Sequence, residues 1–226
     1  MRVALAIPTL NEAQSIGRVV AEIPRPPVAR IIVADGGSTD DTAGIARRAG
    51  AEVIAAGRGY GRACLAAAQA ADDADIVVFM DGDGADDPRH IADLVGPIAA
   101  GDADFVIGSR VRGRREPGSM GWHQVAAGLA AGWAMRGLYG VRYTDMCAFR
   151  AIRRDRLLAL GMREMTYGWN LEMQMRAARR ALRIAEIPVP CRRRFGGVSK
   201  VAGSLAGTCR AGSRIVATFA RVAAEA

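Results

Sequence analysis

The chain has 226 residues, half of them apolar, so it is long enough to bury the core of one α/β domain, and its composition excludes a long disordered linker. Its net charge of +8 is uneven, because residues 1–141 carry 14 basic and 17 acidic residues whereas residues 142–226 carry 17 basic and 6 acidic residues. The mildly acidic first half suits a metal site, and the basic second half suits a phosphate-rich or membrane-surface partner.

Strand and helix patterns alternate along the first half of the chain. Short apolar runs predict strands at residues 3–7, 31–34, 52–55, 76–80 and 105–108. Helices are predicted between them at residues 13–23, 41–49 and 60–71, and a fourth helix begins at Pro88. This order predicts an α/β fold with a mostly parallel central sheet and helices on both faces.

The pattern changes after Ser109. Residues 110–121 form a charged loop, and the segments that follow predict helices at 122–138, 153–160, 171–182 and 206–223 and strands at 147–150 and 184–189. The last helix has apolar residues on one side and arginines largely on the other. It is therefore predicted either to pack on the core or to lie in the interface of an anionic membrane.

Polar residues follow three of the predicted strands. Residues 8–12 follow the first strand, Asp35 the second, and Asp81 and Asp83 the fourth. Since the carboxyl ends of parallel strands meet at one edge of a sheet, these residues are expected to lie together. Two carboxylates separated by one glycine can share a hard divalent cation that clamps a diphosphate, and the alternative interpretation is a simple Asp-Gly turn.

Three runs in the first half resemble the family 2 glycosyltransferases with the GT-A fold: Ile7-Pro8-Thr9-Leu10-Asn11-Glu12, Asp35-Gly36-Gly37-Ser38-Thr39-Asp40 and Asp81-Gly82-Asp83. Four runs in the second half resemble the bacterial branch related to dolichyl-phosphate mannose synthase and polyprenyl-phosphate glucosyltransferases: Tyr143-Thr144-Asp145, Phe149-Arg150-Ala151-Ile152-Arg153-Arg154, Tyr167-Gly168-Trp169-Asn170-Leu171-Glu172-Met173-Gln174 and Arg194-Phe195-Gly196-Gly197-Val198-Ser199-Lys200. The resemblance implies one GT-A domain over residues 1–226. Residues 1–109 would bind the nucleotide sugar, and residues 110–226 would bind the acceptor and end in the amphipathic helix.

The resemblance also implies the donor chemistry, which is the inverting transfer of a hexose from a nucleoside diphosphate sugar with Mg²⁺ or Mn²⁺ as cofactor. It assigns nucleotide-sugar binding to Pro8, Leu10, Glu12, Asp35, Asp81 and Gly82. It assigns the metal to Asp81, Asp83 and Asp86, although relatives often read Gln-His where this chain has Ala85-Asp86. From the residues alone, Glu12 could instead cap the first helix and Asp35 could close an Asx turn.

On the acceptor side, the resemblance implies a polyprenyl phosphate bound by Arg110, Arg194 and Lys200. The catalytic residues it implies are Glu172, Asp83 and Asp145. The alternative is a hydroxyl acceptor with Glu172 as general base, and Glu172 could also be a structural residue at a helix N-terminus. Relatives often carry Asn where this chain has Gly128, so the acceptor stays open at this stage.

Other classes fit the sequence less well. A dehydrogenase would need a third glycine after Gly57 and Gly59 at the fingerprint spacing, where the chain has Arg62. A nucleotidyltransferase would need a glycine-rich basic loop after the first strand, where this chain has residues 8–12 without such a loop. A nucleic-acid-binding protein is suggested only by the basic second half, and no nucleic-acid-binding motif accompanies it. Four cysteines without metal-ligand spacing and an N-terminus without a signal pattern favour a cytoplasmic protein, with a peripheral position at the inner face of the plasma membrane as a further expectation.

Overall fold

A seven-stranded sheet runs through both halves of the chain in the computed structural model, which describes residues 1–197 and 205–225. In chain order the strands are β1 (Val3–Thr9), β2 (Val28–Asp35), β3 (Glu52–Ala55), β4 (Ile76–Phe79), β5 (Phe105–Ser109), β6 (Arg150–Arg153) and β7 (Ile184–Pro188). Their spatial order is β3-β2-β1-β4-β6-β5-β7. Every residue of β1, β4 and β5 is buried, as expected of short apolar strands covered on both faces.

The sheet is mostly parallel, as predicted. β1 pairs in parallel with β2 and β4, β2 with β3, and β5 with β7. β6 runs antiparallel between β4 and β5. It begins and ends three residues later than predicted, because residues 147–149 are as buried as the strand itself and hydrophobicity alone does not fix its start.

Eight helices surround the sheet within the described residues, near the predicted ranges. They are α1 (Ile16–Glu22), α2 (Thr42–Arg48), α3 (Tyr60–Ala70), α4 (Ile91–Ala99), α5 (Trp122–Tyr139), α6 (Arg154–Leu160), α7 (Trp169–Arg179) and α8 (Leu205–Ala224), and a 3₁₀ turn at Pro88–His90 precedes α4. The proline at the first position of this turn fits the missing backbone donor of a helix start.

α8 packs against α7. Thr218 and Val222 of α8 are buried, and Arg179 of α7 donates a hydrogen bond to the Val222 carbonyl at 2.9 Å. Of the two predictions for the last helix, packing on the core is the one that the structure shows. Along residues 1–197 and 205–225, no helix combines the length and the apolar character needed to cross a bilayer.

The parallel strands bring the predicted polar loops to one edge of the sheet. Thr9 at the end of β1 is the register partner of Asp35 at the end of β2. The Met80 N–H, just beyond β4, donates to the Ala6 carbonyl of β1 at 3.2 Å, so Asp81 follows directly at the same edge. The expected convergence of these loops is confirmed.

Candidate active site

The loop after β4 presents Asp81 and Asp83 at this edge. The Asp83 carboxylate accepts a hydrogen bond from the Ala85 N–H at 2.9 Å, and the Asp86 carboxylate accepts one from the Asp81 N–H at 3.2 Å. Gly82 packs so closely on β1 that an added Cβ would lie 2.9 Å from Thr9 Cγ2. The carboxylates therefore fix the path of their own loop, and position 82 has no room for a side chain.

Burial disfavours the ionised form of two carboxyl groups in this loop. Burial, followed by repulsion from Asp83 and Asp86, raises the pKa of Asp81 to about 8. Burial and the charge of Asp83 likewise raise the pKa of Asp86 to about 6. Carboxyl groups in such a site ionise readily only when a cation compensates their charge.

The carboxylates fit an ion that is shared between protein and substrate. Across the described part of the chain, no three Asp, Glu, His or Cys side chains form a ready-made ion site. The predicted trio of Asp81, Asp83 and Asp86 is not preformed, because Asp86 is buried and its carboxylate accepts the Asp81 N–H. Asp81 and Asp83 still suit Mg²⁺, which usually takes one or two carboxylates and completes its shell with phosphate oxygens and waters.

Residues 192–197 cross this carboxylate loop. The Arg192 N–H donates to the Ala85 carbonyl and the Phe195 N–H donates to the Asp83 carbonyl, each at 2.9 Å. Gly84 has a φ of +83°, and an added Cβ there would lie 2.4 Å from Phe195 Cδ2. Gly84 therefore meets both a left-handed backbone and the packing of the Phe195 ring.

Arg194 lies between the carboxylate loop and the loop after β1. Its guanidinium is 2.8 Å from the Asp83 carboxylate and 3.1 Å from the Glu12 carboxylate. The sequence placed Arg194 with the acceptor phosphate, whereas the structure places it beside the residues predicted to bind the donor. Residues 192–197, from the basic half of the chain, thus place the Arg194 guanidinium beside acidic residues of the first half.

Of the nucleotide-binding residues predicted in the first two loops, Glu12 contacts Arg194. Glu12 is buried, and its N–H donates to Thr42 Oγ1 at 2.8 Å. The Asp35 carboxylate accepts the Gly37 N–H, two residues on, at 3.2 Å, so the predicted Asx turn is confirmed. Pro8 is buried within β1 and Leu10 is half-buried. A contact between these residues and a nucleotide stays a prediction.

Comparison with known proteins decides the family, because the model of Glycosyl transferase family 2 matches residues 4–161. The chain is a family 2 glycosyltransferase. An uncharacterized glycosyltransferase of Mycobacterium tuberculosis (strain ATCC 25618 / H37Rv) is 38% identical over 209 residues, which are 91% of this chain and 92% of that protein. An undecaprenyl-phosphate mannosyltransferase of Micrococcus luteus is 32% identical over 228 residues, covering 92% of this chain and 90% of that protein.

Solved structures give the fold of this glycosyltransferase. Glucosyl-3-phosphoglycerate synthase from Mycobacterium tuberculosis, in complex with phosphoglyceric acid, has a TM-score of 0.78 and 26% identity, covering 99% of this chain and 80% of that one. Another structure of that enzyme, 24% identical and with a TM-score of 0.78, holds Mn²⁺, uridine-diphosphate-glucose and phosphoglyceric acid. The predicted GT-A fold is therefore confirmed.

The glycosyltransferase holds Asp145 and Arg110 as a pair. Asp145 is 1% exposed, and Arg110 donates to its carboxylate through Nε at 2.8 Å and through a terminal nitrogen at 2.7 Å. The Arg110 backbone N–H donates to the same carboxylate at 3.0 Å. The Asp145 carboxylate and the Arg110 guanidinium thus bind each other, and the pair anchors the loop that begins at residue 110.

The Glu172 carboxylate is enclosed by groups from α7, α8 and residues 163–164. Glu172 is fully buried, and its carboxylate accepts hydrogen bonds from the Arg176 and Arg221 side chains at 2.9 and 3.0 Å. It also accepts the backbone N–H groups of residues 163 and 164 at 2.9 and 2.6 Å. This environment does not fit the predicted general base, and it makes Glu172 the structural link between α7 and α8.

One further member of the site, Tyr60, was missed by sequence reasoning. Its hydroxyl donates to the Asp81 carboxylate at 3.3 Å, from the first turn of α3. A glycine on each side of Tyr60 was the signal in the sequence that could have identified it. In the structure an added Cβ at Gly59 or Gly61 would lie 2.4 or 2.3 Å from backbone carbonyl oxygens of residues 164–165. These glycines serve helix packing and hold Tyr60 in place. Lys200, the third predicted phosphate-binding residue, lies outside the described residues.

Proposed function

We propose that this glycosyltransferase moves a hexose from a nucleoside diphosphate sugar to a polyprenyl phosphate. The observation that carries the choice of acceptor is the state of the two candidate bases. Asp145 is held by Arg110, and Glu172 is held by two arginines. A hydroxyl acceptor needs a free base to remove its proton, whereas a lipid phosphate is already ionised at neutral pH.

The transfer then forms one bond and breaks one. A phosphate oxygen of the acceptor attacks the anomeric carbon with its own electron pair, from the face opposite the nucleotide. The bond between that carbon and the diphosphate breaks, and the diphosphate leaves with the bonding electrons. No proton moves, and the configuration at the anomeric carbon is inverted.

The donor would lie against the three loops at the sheet edge. Pro8, Leu10, Glu12 and Asp35 would contact the nucleoside, and Gly82 lets the carboxylate loop lie close to β1. Asp81 and Asp83 would hold Mg²⁺ or Mn²⁺, whose charge, when bound, stabilises the leaving diphosphate. The raised pKa values of Asp81 and Asp86 support this assignment, because they mark a site that gains from an added cation.

The two halves of the chain would divide the substrates unequally. Residues 1–109 would bind the nucleotide sugar and most of residues 110–226 the acceptor. Arg194 is the exception, because it already contacts Glu12 and Asp83 of the first half. A diphosphate entering between these residues would offer the guanidinium a bidentate partner, which makes Arg194 a donor-binding residue in this proposal.

A second candidate is transfer to a hydroxyl of a small phosphorylated acceptor. It is favoured by the likeness to glucosyl-3-phosphoglycerate synthase over 99% of the chain. This candidate would require Asp145 or Glu172 to leave its arginine partners, and both carboxylates are buried. The undecaprenyl-phosphate mannosyltransferase, which is more similar in sequence, supports the lipid phosphate instead.

The deciding experiment is a transfer assay over a panel of nucleotide sugars with Mg²⁺ or Mn²⁺. A short-chain polyprenyl phosphate and 3-phosphoglycerate would compete as acceptors. We expect sugar to appear on the lipid phosphate with each productive donor. Transfer only to phosphoglycerate would overturn the lipid-phosphate proposal and leave the family assignment intact.

The metal assignment has its own test within that assay. Asp83→Ala is expected to lower metal-dependent donor affinity by at least about 100-fold, because it removes a ligand oxygen without disturbing the core. Asp93→Ala is the matched control, since its carboxylate lies on the exposed side of α4 beside His90. Unchanged metal-dependent affinity in the Asp83 variant would remove Asp83 from the proposed metal site.

A further inference from the structure

α5 leaves large apolar side chains in solvent. Trp122 is 82% exposed, Trp133 is 73% exposed and Leu129 is 38% exposed. Their spacing of seven and four residues places them on one side of the helix, in a stripe that extends for about 16 Å along its axis. We call these three residues the α5 stripe. Exposed tryptophans in such an arrangement are characteristic of a surface that binds something.

The packing of α5 fixes the direction in which the α5 stripe points. Gly128, Gly132 and Met135 form the buried side of the helix. An added Cβ at Gly132 would lie 1.9 Å from the Tyr143 carbonyl oxygen, so the helix rests directly on the backbone of residues 143–144. A helix seated this closely cannot rotate to bury its tryptophans, and the stripe stays on the surface.

Arginines outnumber acidic residues around the α5 stripe, where Glu116 is the acidic neighbour of Trp122. No Asp or Glu occurs between Glu116 and Asp145, a segment that includes the whole helix. Arg136 and Arg142 lie within this segment, and Arg115 lies just before it, all three exposed. Packing against a second copy through a twofold axis would bring these arginines towards one another. An anionic lipid surface would complement them.

We propose that the α5 stripe inserts into the headgroup region of an anionic membrane. Tryptophan rings prefer this region, and arginines beside them pair with lipid phosphates. The membrane-facing element in this proposal is α5. We do not assign that role to α8, because its Ala211 and Val222 are buried and Arg179 of α7 donates to its Val222 carbonyl. The inference rests on the proposed function for its purpose, since a polyprenyl phosphate resides in a membrane.

The position of the stripe connects the membrane to the donor site. An open cleft of about 500 Å³ at the start of α5 is lined by Trp122, Arg115 and Glu116. The Glu116 carboxylate is held by the Arg193 N–H at 2.8 Å, and Arg115 supplies the positive charge. Cys191 pairs through its backbone with Asp86 on one side and with Arg115 on the other. Two strand spacings separate such residues, so the cleft lies about 10 Å from the carboxylate loop. A lipid phosphate held in the cleft would therefore approach the donor from the membrane side.

Intrinsic fluorescence tests the proposal directly. The chain has three tryptophans, and the third, Trp169, is fully buried. Phosphatidylglycerol vesicles without polyprenyl phosphate should shift the emission to shorter wavelength, and phosphatidylcholine vesicles should have a much smaller effect. Because Trp169 is shielded in both states, the shift reports on Trp122 and Trp133.

A pair of variants locates the contact. Trp133→Glu should weaken vesicle binding by about tenfold or more, since it places a negative charge in the stripe. Val216→Glu on α8 is the matched control, because Val216 is 68% exposed, and it should bind like the unaltered protein. Circular dichroism should show both variants folded.

Three outcomes of the vesicle experiments would overturn the proposal. They are no emission shift with anionic vesicles, equal binding by the Trp133 variant, or loss of binding in the Val216 variant. A blue shift that instead follows protein concentration without vesicles, together with dimers in sedimentation, would assign the stripe to a second copy. Transfer to a water-soluble short-chain polyprenyl phosphate needs no vesicles, so its failure would count against the proposed function and not against the membrane contact.

Discussion

Arg194 pairs with Asp83 at 2.8 Å, so the carboxylate proposed to hold a divalent cation already has a cation from the chain itself. The same guanidinium reaches Glu12 and thereby ties the loop after β1 to the loop after β4. A metal ion and the guanidinium would compete for Asp83. An incoming diphosphate removes the conflict, because it gives Arg194 a new anionic partner.

The first prediction follows from this competition. Arg194→Ala should raise the affinity for Mn²⁺ in the absence of nucleotide by about tenfold, since a half-buried ion pair no longer opposes the metal. The same variant should weaken binding of the nucleotide sugar, because the diphosphate loses a bidentate partner. Calorimetric titration with Mn²⁺ alone and then with the donor separates the two effects.

Arg193→Ala is the control for this prediction. Arg193 is exposed and donates to the Pro117 carbonyl, away from Asp83. It should leave both affinities unchanged. If Arg194→Ala leaves Mn²⁺ affinity unchanged while Arg193→Ala alters it, the competition at Asp83 is not the property that controls metal binding.

The second prediction concerns pH. Burial raises the pKa of Asp81 to about 8 and that of Asp86 to about 6, so between pH 4 and pH 8 the folded state binds more protons than the unfolded chain. The free energy of unfolding of the metal-free protein should therefore fall as the pH rises, by about 2–3 kcal/mol between pH 6 and pH 8.

Urea unfolding at a series of pH values measures this effect. Asp81→Asn should flatten the dependence above pH 6, because its amide does not titrate. Added Mn²⁺ should raise the stability most at the alkaline end, where both carboxyl groups are ionised. An unfolding free energy that rises with pH in the metal-free protein would contradict the assigned cause.

The sequence predicted the sheet edge well and the arginine partners poorly. Asp35, Asp81 and Asp83 were found because residues after parallel strands must meet at one edge. The partners of Asp83 and Glu172 could not be found in this way. Arg194 is more than 100 residues from Asp83, and Arg221 is 49 residues from Glu172, so only the folded chain brings each pair together.

The same reason explains why the sequence left the role of Glu172 open. An acidic residue in the first turn of a helix is compatible with catalysis, capping or an ion pair, and the sequence alone favoured none of them. Two arginines and two backbone N–H groups around its carboxylate favour the ion pair. Tyr60 was missed for a related reason, since its glycine neighbours were weighed only as a dinucleotide fingerprint, which Arg62 excludes.

The third prediction is that Glu172→Gln changes stability more than catalysis. Burial opposes the ionised form of Glu172, but hydrogen bonds from the backbone at 164 and 163 and from Arg176 and Arg221 outweigh it and lower its pKa. The amide would leave these buried donors partly unpaired, so the free energy of unfolding should fall by about 2–4 kcal/mol.

Glu225→Gln is the control, since Glu225 contacts the same two arginines but is partly exposed. It should lower the stability by less than about 1 kcal/mol. Thermal unfolding measures both variants, and kcat measured below the transition should stay within about threefold of the unaltered enzyme. A large loss of kcat at unchanged stability would return Glu172 to the role of general base.

The last prediction uses two glycines in helices. At Gly61 in α3 an added Cβ would lie 2.3 Å from the Glu164 carbonyl oxygen, whereas at Gly96 in α4 no atom lies within 4 Å. Gly61→Ala should therefore destabilise the fold by about 2–4 kcal/mol, because backbone must move, and it should weaken donor binding by displacing Tyr60 from Asp81. Gly96→Ala should stabilise the fold by about 0.5–1 kcal/mol, since alanine restricts the unfolded chain and favours the helix.

Urea unfolding measures the sign of the stability change in each variant, and nucleotide-sugar titration measures the effect on donor binding. If Gly61→Ala folds as stably as the unaltered protein, the glycines around Tyr60 are not required for packing, and a direct contact with phosphate would become the better explanation of their spacing.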